Sequence, residues 1–408
     1  MSNPSTPLTL IDRLSDFLTP RLWLGWAAGG ALWLAWVISL VLGGGLYDRF
    51  GQLVCTDHLA FYSAAQMIRD GRASEIYDNS AIAAKQIELV GERWNGKYEA
   101  FRNPPFYALI YVPTAGFSFA ASAAIWAAIS VLVLVLGIHW LGATRLWRTC
   151  LWAFCFYPVF ASISFGQNTP LSFAVLALTV RLLNTEHRFL AGTIAGLLVF
   201  KPTLLIGLAV WCVLDFRRLW PCLLGASSTA FVLTGVSYLI VPDAWNAFFV
   251  SFKENVAFDR MDWWKNLTPR AFWRLLLGDS PAVGPLAILS ATMGIVWFVW
   301  VWRTYRYHLP SAFGTTVVLT LWASPHAMVY EWALLLIPAI LWWNSSKNEL
   351  RPRWTILFVI VGILALVGPP LAQAQLAIWP FALHVSVIGF GLAGWLAGKW
   401  LVQSKRAA

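Results

Sequence analysis

AASAAIWAAISVLVLVLGIHWL, Ala120 to Leu141, contains no Asp, Glu, Lys or Arg and is long enough to cross a bilayer as one helix. Leu22 to Leu46, Leu219 to Val241 and Pro380 to Leu401 read the same way. Apolar residues make up 59% of the 408 and charged residues 12%, about half the charge of an ordinary soluble domain. Counting outward from Ala120 to Leu141 gives about 12 apolar segments, several too short to span alone. The expected fold class is therefore an all-α polytopic membrane protein, and a single soluble core is excluded.

The first apolar run lacks a small-residue cleavage site and is expected to be retained. Before it, residues 1–21 form a cytoplasmic segment that reads as a short surface helix or a disordered tail. Residues 22–402 form the membrane domain, and 403–408 a cytoplasmic tail. The net charge of +10 is a topology signal. With the N-terminus inside, Arg145/Arg148, Arg181/Arg188, Arg217/Arg218, Arg303/Arg306, Arg351/Arg353 and Lys405/Arg406 all lie inside, and the outer loops come out near neutral. No nucleic-acid partner is implied. The five cysteines show no metal spacing and read as packing residues, and the 26 tryptophans suit interfacial belts.

Two outer loops are long, 47–103 and 242–281, and loops of that length are uncommon without a function. Three apolar hairpins are expected to turn outward. Their tips are Gly166-Gln167-Asn168, Lys201-Pro202 and Ser324-Pro325-His326. Each arm of the middle hairpin spans about 18 Å against a hydrocarbon core of about 30 Å, so its tip is expected at membrane depth, lining a cavity.

Asp57 opens a helical stretch in the first loop and reads either as an N-cap or as a general base at the membrane surface. Lys201 within a span costs roughly 2.5–3.5 kcal/mol on insertion scales. It either snorkels outward or holds a phosphate. His326 reads as a helix–helix hydrogen-bond partner or a catalytic group, and Glu331 as an ion-pair partner for Lys201 or another cation. Gln167 and Asn168 satisfy backbone or grip hydroxyls. In the second loop, which also carries Glu254, Asp259, Arg260 and Asp262, Trp263 anchors a helix or stacks a sugar. No phosphate-cradling glycine loop, Asp-x-Asp motif or metal cluster stands out, which disfavours a nucleotide donor.

In their order along the chain these pieces resemble glycosyltransferase family 87, the polyprenyl-phosphate-sugar-dependent transferases with the GT-C fold. The likeness runs from Asp57 to Pro338. It is carried by Asp57-x-x-x-Phe61-Tyr62-x-Ala64-Ala65, Asp70-Gly71, Ile76-Tyr77-Asp78, Pro104-Pro105 and Gly166-Gln167-Asn168. Ala191-Gly192-x-x-x-Gly196 leading to Lys201-Pro202, and Ser324-Pro325-His326 with Tyr330-Glu331, complete it. The resemblance implies an inverting transfer from a polyprenyl-phosphate sugar, usually mannose and in some members arabinofuranose, to a glycan or glycolipid acceptor outside the membrane. It implies Asp57 as base, Lys201 and His326 as partners of the donor phosphate or of the base, and no cofactor. Arg102-Asn103 stands where an aromatic commonly precedes the Pro-Pro pair, so Arg102 is a further candidate phosphate contact. The rival classes are a secondary transporter, which broken helices would suit, and a non-catalytic scaffold.

Overall fold

The computed structural model describes residues 19–254, 262–347 and 350–406. Most of the expected N-terminal surface helix, together with Asp259 and Arg260, lies outside those residues. Every regular element described is helical, and the two isolated β-bridges join Tyr47 to Leu53 and Asn266 to Met328.

Six helices are long and apolar enough to cross a membrane: α1 (Trp23–Gly43), α5 (Phe119–Trp140), α11 (Phe216–Ile240), α14 (Val283–Tyr305), α17 (Arg351–Leu376) and α18 (Val385–Arg406). A seventh span results if α6 (Leu146–Cys155) and α7 (Tyr157–Ser164), bent by 76° at Phe156, count as one. Four shorter apolar helices accompany them: α8 (Thr169–Asn184), α9 (Arg188–Gly196) with a 3₁₀ extension to Phe200, α10 (Ile206–Leu214) after a 3₁₀ turn from Pro202, and α15 (Leu309–Ala323). A 3₁₀ stretch, Val329–Leu335, and α16 (Leu336–Ser345) close the third hairpin.

The hairpins break where their sequences require it. Lys201 leaves the helical conformation ahead of Pro202, with φ −140° and ψ 71°, and Ser324 is extended ahead of Pro325, because proline disfavours the helical conformation in the residue before it. Small residues then let the short helices pack at backbone distance. A Cβ on Gly192 would stand 1.9 Å from the Cys222 carbonyl oxygen, so α9 can lie against α11 only with glycine there. Thr229 reinforces the contact by donating to the Thr193 carbonyl at 2.8 Å.

The first long loop folds on itself. It contains α2 (His58–Arg69) and α3 (Asn79–Val90) and leads into α4 (Pro105–Leu109), with Leu59, Phe61, Tyr62, Ile76 and Ile82 buried. The second holds α12 (Pro242–Glu254), a 3₁₀ turn at Trp263–Lys265, and α13 (Pro269–Leu277). The loops meet where Tyr77 packs on Phe248, ring centroids 5.4 Å apart.

Candidate active site

Asp57 stands at the N-cap position of α2, yet its carboxyl makes no capping bond. It accepts a hydrogen bond from Gln167 Nε2 at 2.5 Å instead. The capping reading fails on this observation, because the carboxylate is aimed away from the helix it precedes. Backbone bonds fix the meeting of loop and hairpin: the amides of Asp57 and His58 both donate to the Phe165 carbonyl, at 2.9 and 3.3 Å. Gly166 makes room. It has φ +70°, and a Cβ there would come within 2.7 Å of His58 Cβ. On the other side of the contact Cys55 holds φ +51°, a sparsely populated conformation for a non-glycine residue.

Lys201 and Glu331 form an ion pair, joining the middle hairpin tip to the 3₁₀ stretch of the third. Glu331 is 1% exposed and also accepts from the Met328 amide. The pairing foreseen for Glu331 is therefore made, and Lys201 is held in place rather than left to reach for the interface. Asn103 donates to the Phe200 carbonyl at 3.0 Å, which brings the Arg102-Asn103 segment beside Lys201. Tyr107 stacks on Phe200 at 4.4 Å, and its hydroxyl pairs with that of Tyr111 at 2.9 Å.

The second loop is stitched to the third hairpin tip. Leu267 N donates to the Ala327 carbonyl at 2.7 Å, and Ala327 N donates to Asn266 Oδ1 at 3.0 Å. Lys265 thereby comes into Coulomb range of Asp57.

The charges act on one another across this cluster. Burial raises the Asp57 pKa to about 6; the Gln167 bond and the charges of Lys265 and Lys201 pull it back, and Glu331 pushes it up. At neutral pH the group is mostly ionised and more basic than an ordinary aspartate. Burial, then the cations Lys201, Arg102 and Arg270, drive His326 down to about 3, so the imidazole is neutral here. His58, beside Asp57 in sequence, bonds to Ser122 Oγ at 3.0 Å and is likewise kept neutral by burial. Among the described residues no group of three His, Cys, Asp or Glu could hold a metal ion.

A model of glycosyltransferase family 87 matches residues 101–325. The chain belongs to that family. The matched stretch, more than half of the chain, contains Arg102, Gln167, Asn168, Lys201 and Trp263. It ends one residue before His326, and Asp57 and Glu331 lie outside it. No curated protein and no solved structure matches the chain.

Asp57, Gln167, Lys201, Glu331, His326 and Arg102 are thus brought to one end of the bundle, linked by bonds or by Coulomb interaction. Asn168 is one step removed, behind Gln167. Trp263 is not among them: it packs toward Leu275, Ala372 and Ala382, with the Arg270 guanidinium 5.4 Å from its ring centroid, as a helix anchor would. Glu99, which the sequence did not single out, joins the cluster, as does Lys265 from the charged run of the second loop. A polar residue on an apolar helix face could have pointed to the first. Gln86 shares the buried side of α3 with Ile82 and Val90, and its amide must find partners there.

Proposed function

We propose that the chain transfers a hexosyl group, mannose foremost, from a polyprenyl-phosphate donor to a hydroxyl of a glycan or glycolipid outside the membrane, with inversion at the anomeric carbon. Asp57 takes the proton from the attacking hydroxyl. The new glycosidic bond forms as the bond from the anomeric carbon to the phosphate oxygen breaks, and the electron pair leaves with the lipid phosphate. Lys201 and Arg102 hold that charge, and the neutral imidazole of His326 contributes a hydrogen bond to the phosphate or to Asp57.

The observation that carries this reading is the convergence of a basic carboxylate, held by Gln167, and of Lys201 at the break between two short apolar helices. A general base needs a pKa near the working pH, and an aspartate at about 6 is closer to it than an exposed one. A lysine at the break between short apolar helices suits a phosphate that is itself tethered in lipid. Glu331 positions Lys201 and tempers its charge until donor arrives. The distribution of arginine and lysine supports cytoplasmic termini and a site on the opposite face, and the all-helical bundle under two outer loops is consistent with a GT-C-like fold.

The test is to incubate the purified protein in lipid with a panel of polyprenyl-phosphate sugars and follow release of the sugar. Cleavage of one donor class, with the sugar passed to an added glycoside, is expected. Movement of a solute across the bilayer with every donor intact would instead favour a transporter.

A further inference from the structure

Glu99 lies in the 95–103 segment of the first loop, which has no regular secondary structure. Its backbone is nonetheless clamped. Gln86 Oε1 accepts from the Glu99 amide at 2.9 Å, and Gln86 Nε2 donates to the Glu99 carbonyl at 2.7 Å. Gln86 is fully buried, and its Oε1 also accepts from Trp94 Nε1 at 3.1 Å, so the clamp is fixed by a second element. The side chain held in this way is half-buried, within Coulomb range of Asp57 and Lys265, and of Arg102 and Asp262. Tyr330, next to Glu331, lies within Coulomb range of Glu331, Asp57 and Glu99.

Asp57 is spoken for by Gln167 and Glu331 by Lys201, and no hydrogen bond or ion pair is described for the Glu99 carboxyl. We propose that Glu99 is the acceptor-binding carboxyl of the site, hydrogen-bonding a hydroxyl of the acceptor sugar. Burial and the neighbouring Asp57 raise its pKa to about 8, against the pull of Lys265 and Arg102, so at neutral pH it is an uncharged donor beside an ionised base. Two carboxyls with pKa values pushed apart can divide such roles between them.

This inference rests on the transferase reading but not on Asp57 being the base, and the experiment separates the two. The full-length protein in lipid nanodiscs is given polyprenyl-phosphate mannose as donor and octyl α-mannoside as acceptor probe. Product is followed together with the slow loss of donor to water. Glu99→Ala is expected to raise the KM for the octyl mannoside roughly 10- to 100-fold, the effect of leaving a sugar hydroxyl unpaired, and to leave donor KM and donor hydrolysis unchanged. Glu99→Gln, still a neutral hydrogen-bond donor, should stay within about threefold of the parent at neutral pH. It should also lose the rise in acceptor KM that the parent shows as the pH passes 8. An unchanged acceptor KM in Glu99→Ala, or an equal loss of donor and acceptor binding, would overturn the assignment. If Asp57→Asn turns over normally while Glu99→Ala still loses acceptor, the base is elsewhere and the Glu99 role stands.

Discussion

The first outer loop carries its own core, whereas the second is held by what it rests on. In the first, Leu59, Phe61, Tyr62, Ile76, Ile82 and Trp94 are all buried, and the Gln86 clamp closes the unit from inside. In the second, Trp263 and Trp264 pack against Ala372 and Ala382 of the α17–α18 region, His384 meets the Trp264 carbonyl at 3.1 Å, and Asn266 and Leu267 bond to Ala327. The self-supporting loop supplies the carboxyls Asp57 and Glu99 and the cation Arg102, and the dependent loop supplies Lys265. A base needs a fixed position relative to the atom it deprotonates, and a rigid unit provides that. In the described part of the second loop Ala244, Trp245, Leu267, Ala271 and Leu275 are buried, and Phe248 meets Tyr77 of the first loop.

The largest expected effect lies in the rigid loop. Asp57→Asn keeps the shape and leaves Gln167 a partner for a rotated amide, so the fold should survive and donor should still bind. Transfer should fall by about 10²- to 10⁴-fold, the usual contribution of a general base, read as turnover under saturating donor. Turnover near the wild-type rate would move the chemistry out of the first loop altogether.

Lys201→Met comes next, at the seam between the two regions. Removing one partner of a buried ion pair costs about 3–5 kcal/mol because the other charge is stranded, so the single variant confounds stability with function. Lys201→Met combined with Glu331→Gln removes both charges. The double variant should recover much of the thermal stability lost by the single one, and its donor KM should stay raised by roughly tenfold or more. Recovery of donor binding along with stability would reduce Lys201 to a structural residue.

The smallest effect belongs to the dependent loop. Asn266→Ala leaves the buried Ala327 amide without its acceptor, a loss of about 1–3 kcal/mol. Because the tie is local, the global unfolding temperature should hardly move. Hydrogen exchange should quicken at 262–268 and 326–328, and not across α2 and α3. Equal loosening of both loops would erase the distinction drawn between them.

The helices, the three hairpin breaks and the family were legible because each rests on short-range pattern. Apolar runs of spanning length mark themselves, and Lys201-Pro202 and Ser324-Pro325-His326 announce their breaks through proline. The assembly of the site was only partly legible. Pairing of Lys201 with Glu331 could be anticipated because a charge inside an apolar stretch must find its opposite. The Asp57–Gln167 bond joins residues 110 apart, and no local rule prefers it to a helix cap. Glu99 and Lys265 sit in irregular loops where neither periodicity nor spacing distinguishes them from solvated charges. Their place depends on Gln86 and on the tie to Ala327, which only the packed structure reveals. Trp263 was read as a helix anchor or a sugar platform, and its contacts with Leu275, Ala372 and Ala382 accord with the first.

The central claim is that Asp57, poised by burial against the pull of Gln167 and two lysines, is the base, and the pH dependence of kcat/KM for the donor tests it most directly. This ratio reports the free enzyme, whose Asp57 titrates at about 6. The carboxylate is the active form, so the account predicts that log kcat/KM climbs with unit slope up to about pH 6 and flattens above it. The residual activity of Asp57→Asn should show no such limb. A flat profile from pH 5 to 7, or a limb that persists unchanged in Asp57→Asn, would contradict the account.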